Sequence, residues 1–335
     1  MIKRNIKFIE NYENRDGDII FIDNKCCITD SIAKTKEIHI LPEKIEAPIM
    51  FTIKDFYQGY KRIHGAKHVF GIQNHRIVIY MKKNGSLVEE ITIPYKEADL
   101  SILDITGEAI GNIHSRTLRN FNILEEMTTG LSYLKFLQHP TFILQNKELY
   151  FWGTDCIHQL RLEGVTSTNK NLAYHLSKSI CKAISSFADG LYENIELSIQ
   201  TRNHSSTLIF KGKNDIYVAP LIDTDEAYLC EYSKAREYAL SLEELKQLKE
   251  LNLKKKNSSI NKKTNAPFKV IIEVIDGIFY LQGEKIFEIS KKVTVKKPIE
   301  SYKFTKLLMN AVLMNADELY LSSEYFKMND TVLIL

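Results

Sequence analysis

Thr141-Phe142-Ile143-Leu144-Gln145-Asn146-Lys147-Glu148-Leu149-Tyr150-Phe151-Trp152 is the stretch that decides how the chain is read. Two runs rich in aromatic and aliphatic residues flank Asn146-Lys147. Asn tolerates positive φ, so the pair suits a tight two-residue turn and the stretch reads as a β-hairpin. The same signal occurs twice more. Residues 18–23 are expected to turn at Asn24-Lys25 into 26–29, and residues 269–275 at Asp276-Gly277 into 278–281.

Working outward, each hairpin is followed by an apolar stripe at helical spacing. The first stripe is Ile53, Phe56, Tyr60 and Ile63. The second is Leu176, Ile180, Ile184 and Phe187. The third is Phe304, Leu307, Leu308, Ala311 and Val312. A second strand pair follows each helix: 69–73 with 76–80, 195–200 with 207–211, and 318–322 with 331–335. The turns lie more than a hundred residues apart, far beyond the ~20–50 residues of a solenoid repeat. The pattern predicts tandem α+β domains at 1–112, 113–228 and 229–335. The second and third carry an additional helix before the hairpin. One spans 122–138, with Leu124, Met127, Leu131 and Leu134 on one face. The other spans 241–253 and opens with the capping-box residues Ser241 and Glu244. The first domain is short of this helix, and 5–11 reads as a strand. The polar, lysine-rich stretch 254–265 reads as a loop inside the third domain, either solvated or an arm that contacts DNA or a loader, with the solvated loop favoured.

Composition narrows the classes. The chain has 335 residues, 44% hydrophobic and 26% charged, so a disordered chain, a collagen and a coiled coil are all excluded. No apolar run approaches the ~20 residues of a membrane span, and no signal-peptide h-region follows Met1-Ile2-Lys3-Arg4. A formal charge of +3 decides nothing about an anionic partner; the distribution of charge must. Five cysteines without a C-x-x-C point to a reducing compartment and no zinc site.

Catalytic motifs are missing. The sequence contains no G-x-S-x-G, H-E-x-x-H or G-x-x-x-x-G-K-[ST]. Lys211-Gly212-Lys213-Asn214 lacks the preceding glycine and the hydroxyl of a phosphate loop. His64 and His68 stand four apart without a third metal ligand, and Asp155 has no neighbouring carboxylate or base. Cys26-Cys27 lies in an expected strand, with one side chain toward the core and the other on the opposite face. The expectation is a non-enzyme that needs no cofactor or metal.

The threefold order resembles the bacterial-type DNA sliding clamp, the β subunit of DNA polymerase III. Its most specific local piece is 149–160. There Thr154, Asp155 and Leu160 match the family's Ala-Thr-Asp-Gly-His-Arg-Leu segment. Cys156 stands in place of the family's Gly, and one residue is inserted around Ile157-His158. Residues 206–210 and 219–223 are similar to its closing strands, without the Asp-Tyr-Pro type segment that follows. Residues 331–335 end on a strand without the Met-Pro-Met ending.

The resemblance implies two protomers closed head to tail into a homodimeric ring, helices lining the hole and antiparallel sheets outside. Such a ring encircles double-stranded DNA without reading its sequence and tethers a polymerase, in the cytoplasm on nucleoid DNA. A lining helix then presents bases to phosphate. The expected DNA-facing residues are Lys54, Lys61 and Arg62 in the first domain, and Lys170, His175, Lys178 and Lys182 in the second. In the third they are Lys246, Lys249, Lys303 and Lys306. No acidic residue falls between Lys170 and Ala188. The resemblance also implies a pocket taking short peptides of the polymerase and the clamp loader, lined by Leu144, Thr154, Cys156, Leu160, Leu333 and Leu335. The departures at 156 and at the C-terminus point to a divergent clamp serving its own polymerase, as a phage- or plasmid-encoded one would. The rival reading is a clamp-fold scaffold or decoy that binds replication proteins without encircling DNA.

Overall fold

Antiparallel strands joined by tight turns dominate the computed structural model. It describes residues 15–60, 67–73, 76–83, 86–93, 96–97, 103–128, 135–154, 159–189, 191, 193–224, 238–239, 241–243, 246, 272–275, 278–281, 284–288, 317–321 and 325–334. In chain order the first elements are β1 (Asp18–Asp30), β2 (Thr35–Thr52), α1 (Ile53–Tyr60), β3 (Lys67–Gln73), β4 (Arg76–Lys83), β5 (Ser86–Ile93) and β6 (Lys96–Glu97). Next come β7 (Glu108–His114), α2 (Ser115–Leu118), α3 (Phe121–Met127), α4 (Lys135–Gln138), β8 (Thr141–Gln145), β9 (Glu148–Thr154), β10 (Gln159–Thr166), β11 (Leu172–Leu176) and α5 (Lys178–Phe187). The last are β12 (Asn194–Arg202), β13 (Ser205–Lys211), β14 (Asp215–Asp223), β15 (Tyr238–Ala239), β16 (Ile272–Ile275), β17 (Ile278–Leu281), β18 (Glu284–Glu288), β19 (Leu319–Leu321), β20 (Tyr325–Met328) and β21 (Thr331–Ile334).

Two compact units result. One joins residues 1–109 to 196–220, and the other joins 110–195 to 221–335. This grouping crosses the expected division at 112. The reason is strand pairing: 215–218 of β14 run antiparallel to 36–39 of β2.

In the first unit, β1 does not turn at Asn24-Lys25. It runs on to Asp30 and pairs with β2 from Asp18 opposite Thr52 to Asp30 opposite Thr35. The turn is 31–34, where the Asp30 carboxylate accepts from the Ile32 and Ala33 amides and Lys34 takes φ 54°. The register shifts between Phe21 and Lys25, where the extra residues belong to β2. That stretch of β2 contains Pro42 and Pro48, which cannot donate to a ladder and so favour irregular pairing. The positive φ that Asn24 was expected to supply falls instead on Asp23, at 48°. Cys26 and Cys27 point to opposite faces of β1, and both faces are buried. Ile53 and Phe56 of α1 are buried as their stripe predicts, and Phe56 stacks on Phe51, ring centroids 5.5 Å apart. The segment 103–107 lies across the unit. Leu103 and Ile105 pack on Ile20, Cys27 and Ile38, and Asp104 pairs with Arg202 at 2.6 Å. The pair 73 and 76 closes the β3–β4 hairpin as expected.

The second unit holds a continuous antiparallel sheet in the order β15-β19-β20-β21-β10-β9-β8-β11, to which the end of β14 adds. The β8–β9 hairpin turns at Asn146 (φ 53°) and Lys147 (φ 64°) with Gln145 opposite Glu148. The opening stretch is therefore the hairpin it was read to be. β21 does not pair with β19, however. The strand β20, not foreseen in the sequence, intervenes between them.

Register sorts the side chains onto two faces. Phe142, Leu144, Leu149, Phe151, Gly153, Leu160, Leu162, Thr331 and Leu333 share one face, across pairs such as Leu144–Leu149, Gly153–Leu160 and Leu160–Leu333. The α3 helix covers it. The Phe121 ring meets Phe151 edge-on, centroids 4.7 Å apart, and Leu124 lies over Gly153. Helix α5 packs beside α3, burying Ile180, Cys181, Ile184 and Phe187. Leu176, expected on that helix, is the last residue of β11 but is buried with the same stripe.

The single helix expected over 122–138 is broken. α3 stops at Met127, and Thr128 is extended (φ −89°, ψ 129°) with its hydroxyl donating to the Glu125 carbonyl at 2.8 Å. Thr128-Thr129-Gly130 explains the stop, since β-branched residues and Gly are weak helix formers. The expected helices at 241–253 and 304–312 and the loop 254–265 lie wholly or mostly outside the described residues. So does the strand at 5–11.

Candidate partner-binding and DNA-facing surfaces

The face of the second sheet opposite α3 is aromatic and charged. Ile143, Tyr150 and Trp152 form a buried cluster against which Phe136 of α4 and Ile334 of β21 pack, each only partly buried. Phe136 stacks on Trp152 with centroids 6.0 Å apart, and the indole N–H of Trp152 donates to Gln159 Oε1 at 3.1 Å. Beside them, Arg161 is 6% exposed. Its Cζ sits 3.8 Å from the Tyr150 ring centroid. Its Nη2 donates to Glu148 Oε2 at 3.0 Å, and its Nε faces Glu163 Oε1 at 3.0 Å as an ion pair. Burial works against its charge, but the Glu163 and Glu148 carboxylates outweigh it and hold the guanidinium's pKa raised.

The expected pocket residues divide between the two faces. Thr154 lies on the aromatic face, at the end of β9 and opposite Gln159. Leu144, Leu160 and Leu333 lie on the α3 face and are buried in its core. One surface pocket cannot take all four, because neighbours along a strand alternate sides. Cys156 and Leu335 lie outside the described residues, with Asp155. Trp152, Phe136, Tyr150 and Arg161 were not picked out as site residues in the sequence, although for Tyr150 and Trp152 the two-residue period of a strand carries the signal.

The cationic set also divides. His175 is a correction. It is 2% exposed on β11, with its Nδ1 3.1 Å from the Thr141 hydroxyl, so it cannot meet phosphate. It was expected on the helix, on the basic face opposite the apolar stripe, but the helix begins at Lys178. Lys178 donates from Nζ to the Thr128 carbonyl at 2.9 Å, closing the C-terminus of α3, where helix dipole and carbonyl both favour a cation. Lys54, Lys170, Lys182 and Lys246 are exposed. Lys61, Arg62, Lys249, Lys303 and Lys306 lie outside the described residues.

Among the described residues, no group of three His, Cys, Asp or Glu side chains is placed to hold a metal ion. None of their helices is long and apolar enough to cross a membrane.

No protein-family model matches the sequence, and no curated protein matches it. Solved structures do. A DNA polymerase sliding clamp from Pseudomonas aeruginosa aligns over 99% of this chain and 95% of its own, with a TM-score of 0.60 at 8% identity. The Helicobacter pylori β clamp, solved bound to a DNA ligase peptide, aligns over 100% and 98%, with a TM-score of 0.59 at 14% identity. The Bacillus subtilis sliding clamp aligns over 96% and 90%, with a TM-score of 0.57 at 13% identity. The chain therefore has the α+β DNA sliding-clamp fold. Within that class it resembles the bacterial DNA polymerase III β subunit, at strongly diverged sequence.

Proposed function

We propose that this chain is a DNA sliding clamp, a non-enzymatic processivity factor that encircles duplex DNA and tethers a DNA polymerase. The observation that carries the reading is two-way coverage: clamps align along nearly all of this chain and nearly all of their own. A fold match alone does not fix function, so the chemistry of the surfaces must agree with it. Helix α5 does. Its apolar stripe is committed to the core, Lys182 is exposed, and no carboxylate lies between Lys170 and Ala188.

In this reading the domains are 1–112, 113–228 and 229–335, and two protomers join head to tail in the cytoplasm. The DNA-facing set keeps Lys54, Lys170, Lys182 and Lys246 from the described residues, together with Lys61, Arg62, Lys249, Lys303 and Lys306. A few exposed lysines hold DNA through water-rich phosphate contacts, which suits sliding better than a tight grip. Short peptides of the polymerase and clamp loader dock on the aromatic face beside Thr154 and Trp152. The H. pylori clamp was solved with a DNA ligase peptide, and a few apolar anchors are the usual currency of such peptides.

Topological retention tests this. The protein is incubated with a linear duplex biotinylated at both ends, the ends are blocked with streptavidin, and the salt is raised. A clamp stays on the blocked DNA and is released when a restriction enzyme cuts it. A scaffold or decoy washes off blocked and open DNA alike.

A further inference from the structure

We propose that Glu37, His39 and Asp215 form a protonation-dependent lock on the junction between β2 and β14. The junction is short. Only 36–39 pair with 215–218, extended by the Ile40 amide donating to the Asn214 carbonyl at 2.8 Å. His39 stands directly opposite Asp215 in the register. Its Nδ1 lies 2.6 Å from Asp215 Oδ1, and its Nε2 lies 3.4 Å from Glu37 Oε1.

Both ring nitrogens thus face carboxylates, which accept but do not donate. A neutral imidazole has one N–H and would turn a lone pair toward one of the two. Only the imidazolium satisfies both sides. The surrounding charges ask for the same state. Glu37 is nearly buried, and its one described cation besides His39 is Arg15, 3.9 Å away. With His39 charged, two cations face two carboxylates; with His39 neutral, a half-buried site holds a net negative charge. The other titratable groups aligned here by register are Cys26, opposite His39 on β1, and Tyr217, opposite Glu37 on β14. Neither supplies a cation. Burial works against the imidazolium, but the hydrogen bonds to Asp215 and Glu37 outweigh it and raise its pKa to about 9.

The direction follows from the sign of that shift. A pKa above the unfolded value stabilises the folded junction below about pH 6.5 in full, and that contribution is lost as pH rises through about 9. The lock is therefore closed across the neutral range and opens in alkali. It also ties the end of the first hairpin to a strand 176 positions along the chain, so its opening frees one element of the unit rather than unfolding the whole.

Amide hydrogen exchange on the intact protein, corrected for the pH dependence of intrinsic exchange, tests the lock. From pH 7.5 to 10, protection at 36–40 and 215–218 should fall at least tenfold while the β8–β9 hairpin changes less than threefold. His39→Gln should show the low junction protection already at pH 7.5, with no further fall. Asp215→Asn, which leaves the ring one carboxylate, should move the opening to lower pH. Unchanged corrected protection of the wild-type junction up to pH 10 would overturn the proposal. So would an equal loss at β8–β9.

Discussion

Replacing Arg161 by Met should loosen the seam where β21 joins β10. Arg161 sits opposite Trp152 on β9 and Val332 on β21, so it bears on both sides of the junction. Met keeps much of the buried length and removes the charge. The stacked guanidinium over Tyr150 contributes about 1–2 kcal/mol at this burial. Glu148 is half exposed, so solvent screens its pair to about 0.5 kcal/mol or less. Glu163 is the costly partner, at 22% exposure, with Lys327 farther off at 3.9 Å. Removing its nearest cation costs about 1–2 kcal/mol, less than the full penalty of an unpaired buried charge. The total is about 2–4 kcal/mol. In a unit of this size each kcal/mol moves Tm by about 2–4 °C, so a fall of roughly 4–16 °C is expected. Trp152 is the chain's one tryptophan, opposite Arg161 on β9 and in the cluster against which Ile334 of β21 packs, so its fluorescence reports the transition locally. Arg161→Lys keeps the charge but not the flat stacked fork and should lose about half as much. An Arg161→Met protein within 0.5 kcal/mol of wild type would refute the reasoning.

Other perturbations separate structure from surface. Lys178→Met should lower stability by about 0.5–1.5 kcal/mol in urea denaturation by uncapping α3. Lys182→Glu should leave stability within about 0.5 kcal/mol yet shorten retention on end-blocked DNA at low salt. Gly111→Ala should cost about 1–3 kcal/mol or more in the same denaturation assay, because its new methyl would lie 2.3 Å from the Val165 carbonyl oxygen. Cys27, whose thiol burial pushes up to about 12, and Cys181, raised further by burial, should escape labelling by a thiol reagent at pH 8 until urea is added. Peptide mapping by mass spectrometry would show this.

What was legible in the sequence was local. The Asn146-Lys147 turn, the 73–76 hairpin end, the pairing of 195–200 with 207–211 and the apolar positions 53 and 56 of α1 and 180, 184 and 187 of α5 all follow from turn chemistry and periodicity. What was not legible depended on partners distant in sequence. Asn24 reads as a turn residue, but the prolines of β2 decide where the irregularity falls, and Ser31-Ile32-Ala33-Lys34 turns without a glycine because Asp30 caps it. Strand β20 is four residues long and carries Lys327, too short and too polar to stand out. His175 sat in a run that looked helical until β8 and β14 claimed it as a strand neighbour. At the candidate pocket the residue types were visible but their side of the sheet was not. Facing follows from the register between β9 and β10, which pairs Thr154 with Gln159 and Gly153 with Leu160, and counting along the chain could not supply that register.

Class averages of the purified protein by negative-stain electron microscopy test the central claim most directly. A sliding clamp assembled from two head-to-tail copies gives a ring with a central hole wide enough for duplex DNA and about six lobes around it. Open crescents or solid particles, at concentrations where light scattering shows the dimer to be intact, would contradict encirclement and leave the chain a clamp-fold scaffold.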